Sequence, residues 1–164
     1  QGRVYVIYGK GILRPAFFNV NSLTPSTGFV ISGAVNNDNF GAALAVGDIN
    51  ADGYGDIVVG APTEGGGPAA SSSGSGEGAT YVIYGIPSVG DVTSPDGVHV
   101  MRFHGTVVNQ YVGWAVATGN LNGMGGKDLT ATTPFSNFGN GVNSGGGYVL
   151  FSPLAIPNMS ADLF

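Results

Sequence analysis

The chain has 164 residues, of which 43% are hydrophobic and 9% are charged, whereas about a quarter of the residues are charged in an average soluble domain. Its 30 glycines disfavour long helices, because glycine loses the most backbone entropy on ordering, and favour short strands joined by tight turns. Five scattered basic residues and a net charge of −5 argue against nucleic-acid binding. The lack of cysteine excludes disulfides and thiolate metal sites, and no apolar run reaches membrane-spanning length.

Short strands are predicted along the whole chain from runs of Val, Ile, Tyr, Phe and Ala that are bounded by Gly, Pro, Asn or Asp. They fall into an incomplete first unit, a complete central unit and an incomplete third unit. The predicted strands are, in chain order, 3–9 and 28–33; then 42–47, 56–61, 79–85 and 98–104; then 113–119, 127–133 and 147–152.

These units are similar to one another in sequence. The run VYVIYG at 4–9 returns as TYVIYG at 80–85, and GAALAVGDIN at 41–50 returns 72 residues later as GWAVATGNLN. Internal similarity at a fixed period indicates a repeat architecture, and units of four short strands are typical of the blades of a β-propeller. The predicted fold is therefore all-β: a partial β-propeller of about two to two and a half four-stranded antiparallel blades.

The repeat also sets the predicted domain boundaries. Residues 1–33 are interpreted as the end of a preceding blade, 41–104 as a complete blade, and 113–152 as a degenerate, incomplete blade. Open strand edges and bare apolar blade faces need partners, so we expect other protein chains or the remainder of the same propeller to complete the ring. The low-complexity segment 63–78 is predicted to be a mobile loop between the second and third strands of the complete blade.

The sequence DINADGYGD, which starts at Asp48, carries side-chain oxygens at alternate positions. Asp48, Asn50, Asp52 and Asp56 occupy positions 1, 3, 5 and 9, and Tyr54 at position 7 would contribute its backbone carbonyl. Calcium requires six to eight hard oxygen ligands, and three crowded carboxylates repel one another unless a cation lies among them. The loop is therefore predicted to bind Ca²⁺; the alternative is a polar hairpin turn at its Asp-Gly pair.

The loop is not an EF-hand, because position 12 is Val59 instead of a bidentate Glu and the flanking segments are strand-like. The longer run FGAALAVGDINADGYGDIVVGAP at 40–62 resembles the FG-GAP repeat of integrin α-subunit β-propellers, whose name-giving elements are Phe40-Gly41 and Gly60-Ala61-Pro62 here. The resemblance implies that the calcium loop joins the first two strands of a blade on one face of the propeller. It implies that the loops at 63–78 and 105–112 lie on the opposite face, which usually binds ligands.

The aligned loop of the third unit departs from this pattern. The five ligand positions hold Asn120, Asn122, Met124, Gly126 and Asp128. One carboxylate remains of three, and a soft thioether replaces a hard oxygen. We therefore expect no calcium at this second loop.

A few other residues invite a functional interpretation. His99 and His104 lie five residues apart on a predicted strand and would face opposite sides, so surface or capping roles are expected instead of a shared metal. Trp114 replaces Ala42 of the preceding repeat and is expected to pack between blades, with ligand stacking as the alternative. No Ser/His/Asp catalytic set is recognisable. Asn158 begins an Asn-Met-Ser glycosylation triplet.

Together these features predict a non-catalytic, calcium-binding extracellular or cell-surface glycoprotein module for cell adhesion or protein–protein interaction, with a ligand that the sequence does not identify. We expect no nucleic-acid partner and no membrane insertion by this segment. Two alternatives remain open. The chain could be an accessory propeller domain of a surface or secreted enzyme, since similar repeats accompany phospholipase-type catalytic domains, or a self-assembling structural surface protein.

Overall fold

The regular secondary structure of the described residues is almost entirely β-strand. The computed structural model describes residues 2–9, 17–65, 76–85, 99–137, 142–152 and 160–163. Within these ranges no helix is long and apolar enough to cross a bilayer. A single turn of 3-10 helix spans Val20–Ser22, and the strands are β1 (Arg3–Ile7), β2 (Gly28–Ser32), β3 (Ala43–Gly47), β4 (Asp56–Ala61), β5 (Ala79–Ile83), β6 (Val100–Gly105), β7 (Val116–Gly119), β8 (Asp128–Thr133), β9 (Gly146–Leu150) and β10 (Ser160–Leu163). The predicted all-β class is confirmed.

The described strands form three sheets. The first sheet pairs β1 with β2, the central sheet has the order β10-β6-β5-β4-β3, and the third sheet has the order β7-β8-β9. Consecutive strands within each sheet run antiparallel, as the short connections between them require.

The central sheet carries the predicted strands at their predicted places. Strands β3 to β6 differ from the four predicted ranges by at most two residues at any end. A fifth strand was not predicted: β10 runs parallel to β6, with Ser160 opposite Arg102. The four predicted strands are present and antiparallel, and β10 is added at the outer edge of β6, whose unpaired backbone groups a further strand can pair with.

Both faces of the inner strands β4 and β5 are buried, and alternate residues of these strands point to opposite sides of the sheet. One face places Val59 and Tyr81 against Val4, Phe29 and Ile31 of the first sheet. This packing explains why β4 and β5 read as continuous apolar runs instead of an alternation of apolar and polar residues.

The opposite face packs toward the third sheet. It places Val58, Val82 and Met101 beside Leu129 of β8. Strand β3 lies close to β7, where the Thr118 hydroxyl donates a hydrogen bond of 2.9 Å to the Val46 carbonyl. The inner strands of the central sheet are thus enclosed between the two neighbouring sheets.

Some predictions concern residues outside the described ranges. Residues 66–75 of the predicted loop 63–78 lie there, and so does Asn158 of the glycosylation triplet.

Candidate metal centre

The predicted calcium loop connects β3 to β4. Strand β3 ends at Gly47, which pairs with Asp56 at the start of β4, so the eight residues between them form a closed hairpin loop. Two of these residues have left-handed backbone: Ala51 with φ 62° and Gly53 with φ 90°. Glycine adopts such a φ at little steric cost, which permits the sharp turn at Gly53.

Three of the predicted ligands hold the loop by hydrogen bonds from its own backbone. The Asp48 carboxylate accepts hydrogen bonds from the N–H groups of Asp52 and Gly53, each at 3.0 Å. The Asp52 carboxylate accepts from the Tyr54 N–H at 2.8 Å and from the Asn50 side-chain amide at 2.8 Å. These side chains therefore already point into the loop.

The fourth side chain, Asp56, is fully buried where β4 begins. One of its oxygens accepts from the Ile49 N–H at 2.6 Å and the other from the Gly85 N–H, beyond the end of β5, at 2.8 Å. Burial raises the pKa of Asp56, the backbone hydrogen bonds oppose that rise, and the nearby Asp52 charge adds to it. A cation beside the loop would relieve both the burial cost and the repulsion.

The donor chemistry of the loop fits calcium. Ionised carboxylates have about four acceptor sites each, so the oxygens that accept one N–H bond keep capacity for a cation. Within the described residues, however, no group of three acidic or imidazole side chains converges in an arrangement that could hold a metal. Calcium binding by Asp48, Asn50, Asp52, the Tyr54 carbonyl and Asp56 stays a prediction.

The aligned loop of the third sheet repeats one half of this arrangement. Asp128 is fully buried and accepts from the Leu121 N–H at 2.6 Å and from the Ser152 N–H at 2.8 Å. These distances equal those of Asp56, and the first donor again lies seven residues before the carboxylate. The Ser152 hydrogen bond lowers the pKa of Asp128, with the Leu121 and Asn122 N–H groups acting the same way against burial.

Sequence reasoning missed this role, because it assigned the ninth position to calcium alone. The carboxylate at that position closes the loop onto the strand that follows, in both repeats. The two side chains that the third unit has lost, at positions 1 and 5, make no such bond to a neighbouring strand. The third unit keeps Asp at the ninth position although the rest of its loop is altered. This was the signal that could have separated the role in loop closure from the role in calcium binding.

The name-giving residues of the motif serve packing. Phe40 is buried and its ring meets Tyr81 edge-on at 5.4 Å between centroids. Gly41 has φ 92°, and Gly60 lies so close to the Gly113 carbonyl that a Cβ atom there would clash with it. These residues therefore fix the contact between neighbouring sheets and do not line the loop.

A buried ion pair lies at the other end of the central sheet. Glu64, fully buried after β4, accepts from Arg102 at 2.6 Å and from the Tyr81 hydroxyl at 2.6 Å. Burial raises the pKa of Glu64 although Arg102 and Tyr81 oppose the rise. Sequence reasoning could not detect this cluster, because its members are separated by up to 38 residues.

Two other expectations need correction. His104 was expected in a surface or capping role, but it is 1% exposed within β6, and its Nδ1 lies 3.0 Å from the Gly105 carbonyl oxygen. Trp114 was expected to pack between blades, but it is 49% exposed and contacts the rings of Tyr111 and Phe135, which belong to loops. Both residues lie near the end of a strand. Local sequence does not show whether a side chain at such a position enters the core or stays exposed with the loop.

Comparison with known proteins supports the motif assignment. The FG-GAP repeat family matches residues 40–83. Phosphatidylinositol-glycan-specific phospholipase D from Mus musculus is 36% identical over 136 residues, and the proteins of the same name from Rattus norvegicus and Homo sapiens are 34% and 32% identical. Each alignment covers 82% of this chain, and the chain spans about 15% of the length of these relatives. The matched segment with its β3–β4 loop, residues 40–83, is an FG-GAP repeat.

Proposed function

We propose that the chain is a calcium-stabilised, non-catalytic segment of an FG-GAP β-propeller, and that it serves as an accessory domain of an enzyme of the phosphatidylinositol-glycan-specific phospholipase D type. The observation that carries the proposal is the pattern of similarity. Relatives of that name align with most of this chain, yet the chain spans only about 15% of their length. Such a fraction is compatible with a repeat segment attached to a separate catalytic domain.

The arrangement of the sheets supports a partial propeller. The first and third sheets pack on opposite faces of the central sheet, in chain order, as neighbouring blades do. The central and third sheets also repeat the same strand–loop–strand unit with a period of 72 residues, illustrated by Asp56 and Asp128. We interpret the three sheets as the end of one blade, a complete blade and the start of a third.

Calcium would stabilise the complete blade. The oxygens of Asp48, Asn50, Asp52 and Asp56 and the carbonyl of Tyr54 would hold it, and the ion would neutralise the mutual repulsion of three carboxylates. The loop is further attached to the third sheet, because the Lys127 N–H donates to the Asp48 carbonyl at 2.6 Å. Binding there would therefore stabilise the contact between two blades as well as one hairpin.

A non-catalytic role is supported by how the buried ionisable groups are used. Asp38 accepts from the Phe40 N–H at 3.1 Å, Asp56 and Asp128 close their loops, and Glu64 pairs with Arg102. Carboxylates that accept backbone hydrogen bonds or pair with an arginine stabilise the fold, and they are poorly placed to transfer protons to a substrate. An extracellular or cell-surface location follows from the FG-GAP family as an expectation.

The sequence alone ranked an adhesion module first, with the accessory domain and a self-assembling surface protein as alternatives. The three relatives compared above share the name of one enzyme, which favours the accessory domain. Adhesion remains the second candidate, because exposed loops at one end of the sheets carry large apolar side chains such as Trp114. A self-assembling surface protein would form a ring of identical chains. The mass of the protein in solution would distinguish such a ring from a single chain.

The reading frame that contains the chain tests the proposal first. We expect a phospholipase-type catalytic domain in the same polypeptide, and we expect the purified chain by itself to release no product from a phosphatidylinositol-glycan. A calorimetric titration of metal-stripped protein should show one calcium ion bound. Hydrolysis by the chain alone, or a reading frame that contains only further repeats, would contradict the accessory role.

A further inference from the structure

Large apolar side chains are exposed on two neighbouring loops of the described structure. The β6–β7 loop exposes Val107 (57%), Val108 (56%) and Trp114 (49%), and the β8–β9 loop exposes Phe135 (39%). Tyr111 joins the two loops, since its ring meets those of Trp114 and Phe135 edge-on at 6.1 and 5.5 Å. We call these five residues the aromatic patch.

The preceding repeat shows that the loop conformation does not require this patch. The β2–β3 loop lies 72 residues earlier and has the same backbone pattern: Asn37 and Asn39 have φ of 62° and 52°, as Asn109 and Tyr111 have 65° and 54°. The buried Asp38 accepts backbone N–H bonds there, as Gln110 does in the second loop. The two loops are thus matched in structure.

The matched loops differ in the side chains that they expose. Where the β6–β7 loop has Val108, Tyr111 and Trp114, the β2–β3 loop has Asn36, Asn39 and Ala42. Apolar side chains that stay exposed to water contribute nothing through burial, and the same backbone pattern forms in the β2–β3 loop with Asn and Ala at these positions, so the conformation of the loop does not require them. The apolar residues therefore suit contact with something outside the loop.

The patch is also held in place. The Tyr111 N–H donates to the Gly76 carbonyl at 2.7 Å, and the Trp114 N–H donates to the Tyr111 carbonyl at 3.2 Å. The Trp114 and Phe135 rings meet at 90° with centroids 5.3 Å apart. A preorganised patch loses little conformational entropy when it binds.

Charge and size indicate what the patch contacts. Between Arg102 and Asp162 the sequence has two charged residues, Lys127 and Asp128, which lie at the opposite end of β8 from Phe135. Glu77 lies beside the patch, since its backbone carbonyl accepts from the Val112 N–H at 3.0 Å, and an acidic neighbour disfavours an anionic surface. The exposed area is on the order of 400 Å², because a whole aromatic side chain buries about 150–250 Å². Stable protein–protein interfaces need about 800 Å² per partner, so a second copy of the chain is poorly supported.

We propose that the aromatic patch docks on the surface of an uncharged lipid bilayer. Valine side chains enter the boundary between headgroups and acyl chains, while the indole and phenol of Trp114 and Tyr111 suit its mixture of apolar and hydrated groups. Nothing in this docking requires a segment that spans the membrane. The proposal goes beyond the accessory role and does not depend on calcium at the β3–β4 loop.

Flotation of the purified chain with phosphatidylcholine vesicles tests this. The chain should float with the vesicles, and the emission of Trp114, its single tryptophan, should shift to shorter wavelength. Val108→Asn and Phe135→Ser should each weaken partitioning roughly tenfold, since burying one such side chain corresponds to about that factor in an equilibrium constant. Adding anionic lipid should not strengthen binding.

The matched control is Leu121→Asn. Leu121 is 60% exposed but lies beyond the opposite end of β7 from Trp114, so its replacement should leave flotation unchanged. No flotation of the parent chain, or an equal loss in the control, overturns the proposal. The proposal is also overturned if the patch variants change self-association, measured by light scattering, without changing flotation. A shift of the Trp114 emission by a soluble neutral glycan, but not by vesicles, overturns it as well. Loss of calcium binding alone would contradict the calcium component of the proposed function and leave this result intact.

Discussion

Single side chains in the two aligned loops have separable roles. Asp56 and Asp128 each accept backbone N–H bonds from their own loop and one from a residue beyond the end of a following strand, Gly85 or Ser152, which closes the loop onto that strand. Among the described residues, the carboxylates of Asp48 and Asp52 accept from backbone and amide groups of their own loop, and the third unit replaces them by Asn120 and Met124. The ninth position is therefore structural in both repeats, and the first and fifth positions belong to the proposed calcium site.

We predict that Asp52→Ala removes most of the stabilisation that calcium gives the protein. A ligand that binds only the folded state adds about 2.7 kcal/mol at a hundredfold excess over its Kd, and losing one of three carboxylates should forfeit much of it. Thermal melting with and without calcium measures the effect. Met124→Ala, at the aligned position, is the control and should leave the calcium dependence unchanged. Equal calcium dependence in wild type and Asp52→Ala would refute the proposed site.

We predict that Asp128 makes the free energy of unfolding decrease at acidic pH. Its hydrogen bonds lower its pKa in the folded state, so it contributes stability above its unfolded pKa, about 3.9, and that contribution is lost as the pH falls through the folded pKa. Asp128→Asn should destabilise the protein at neutral pH and flatten the decline below pH 4, because an amide N–H₂ faces a backbone donor. Denaturant unfolding from pH 7 to pH 2 checks this. An unchanged acid slope in the variant would contradict the assignment.

At the scale of the strands, the buried cluster of Glu64, Arg102 and Tyr81 links the end of β4 to β5 and β6. We predict that Arg102→Met alone costs about 3–5 kcal/mol, because it leaves the Glu64 charge buried without its partner. The double variant Arg102→Met with Glu64→Leu should recover much of that loss. Chemical denaturation of the three proteins measures it, and a double variant no more stable than the single one would show that the pair is not the dominant effect.

The strands were predictable because their determinants are local. Runs such as DIVVGA at β4 and ATYVI at β5 combine β-branched and aromatic residues, and glycine or a polar loop bounds them. The 72-residue period then placed the third-sheet strands by analogy. The same period also relates Asp38 to Gln110, a pair that serves the same purpose in two loops and could have been found in the sequence.

Other features depend on contacts between distant residues. Glu64 meets Arg102 across 38 residues of chain, and β10 reaches the edge of β6 across more than 50 residues. The double role of Asp56 depends on Gly85, which belongs to a different strand connection. Local propensity and spacing report none of these partners, because side chains with many permitted neighbours acquire specific ones only when the sheets pack.

At the scale of the whole molecule, the first and central sheets leave apolar surface uncovered. A cavity of about 480 Å³ lies between them and is lined by side chains of both, including Val6, Tyr8, Leu44, Val46 and Ile57. Leu44 and Val46 are 52% and 67% exposed on β3, an edge strand of the central sheet. Open edges and uncovered apolar faces of this kind favour association with further strands.

We therefore predict that the 164 residues alone do not exist as a stable lone monomer. With 9% charged residues the chain has little surface repulsion to keep its apolar faces apart, so further sequence of the same polypeptide, identical chains or another protein should cover them. Light scattering of the isolated chain is the measurement. A monodisperse monomer of 16.5 kDa that melts cooperatively would contradict the prediction, because the cavity beside β3 would then need no partner. Val46→Thr, which makes that face more polar, should reduce association if β3 mediates it.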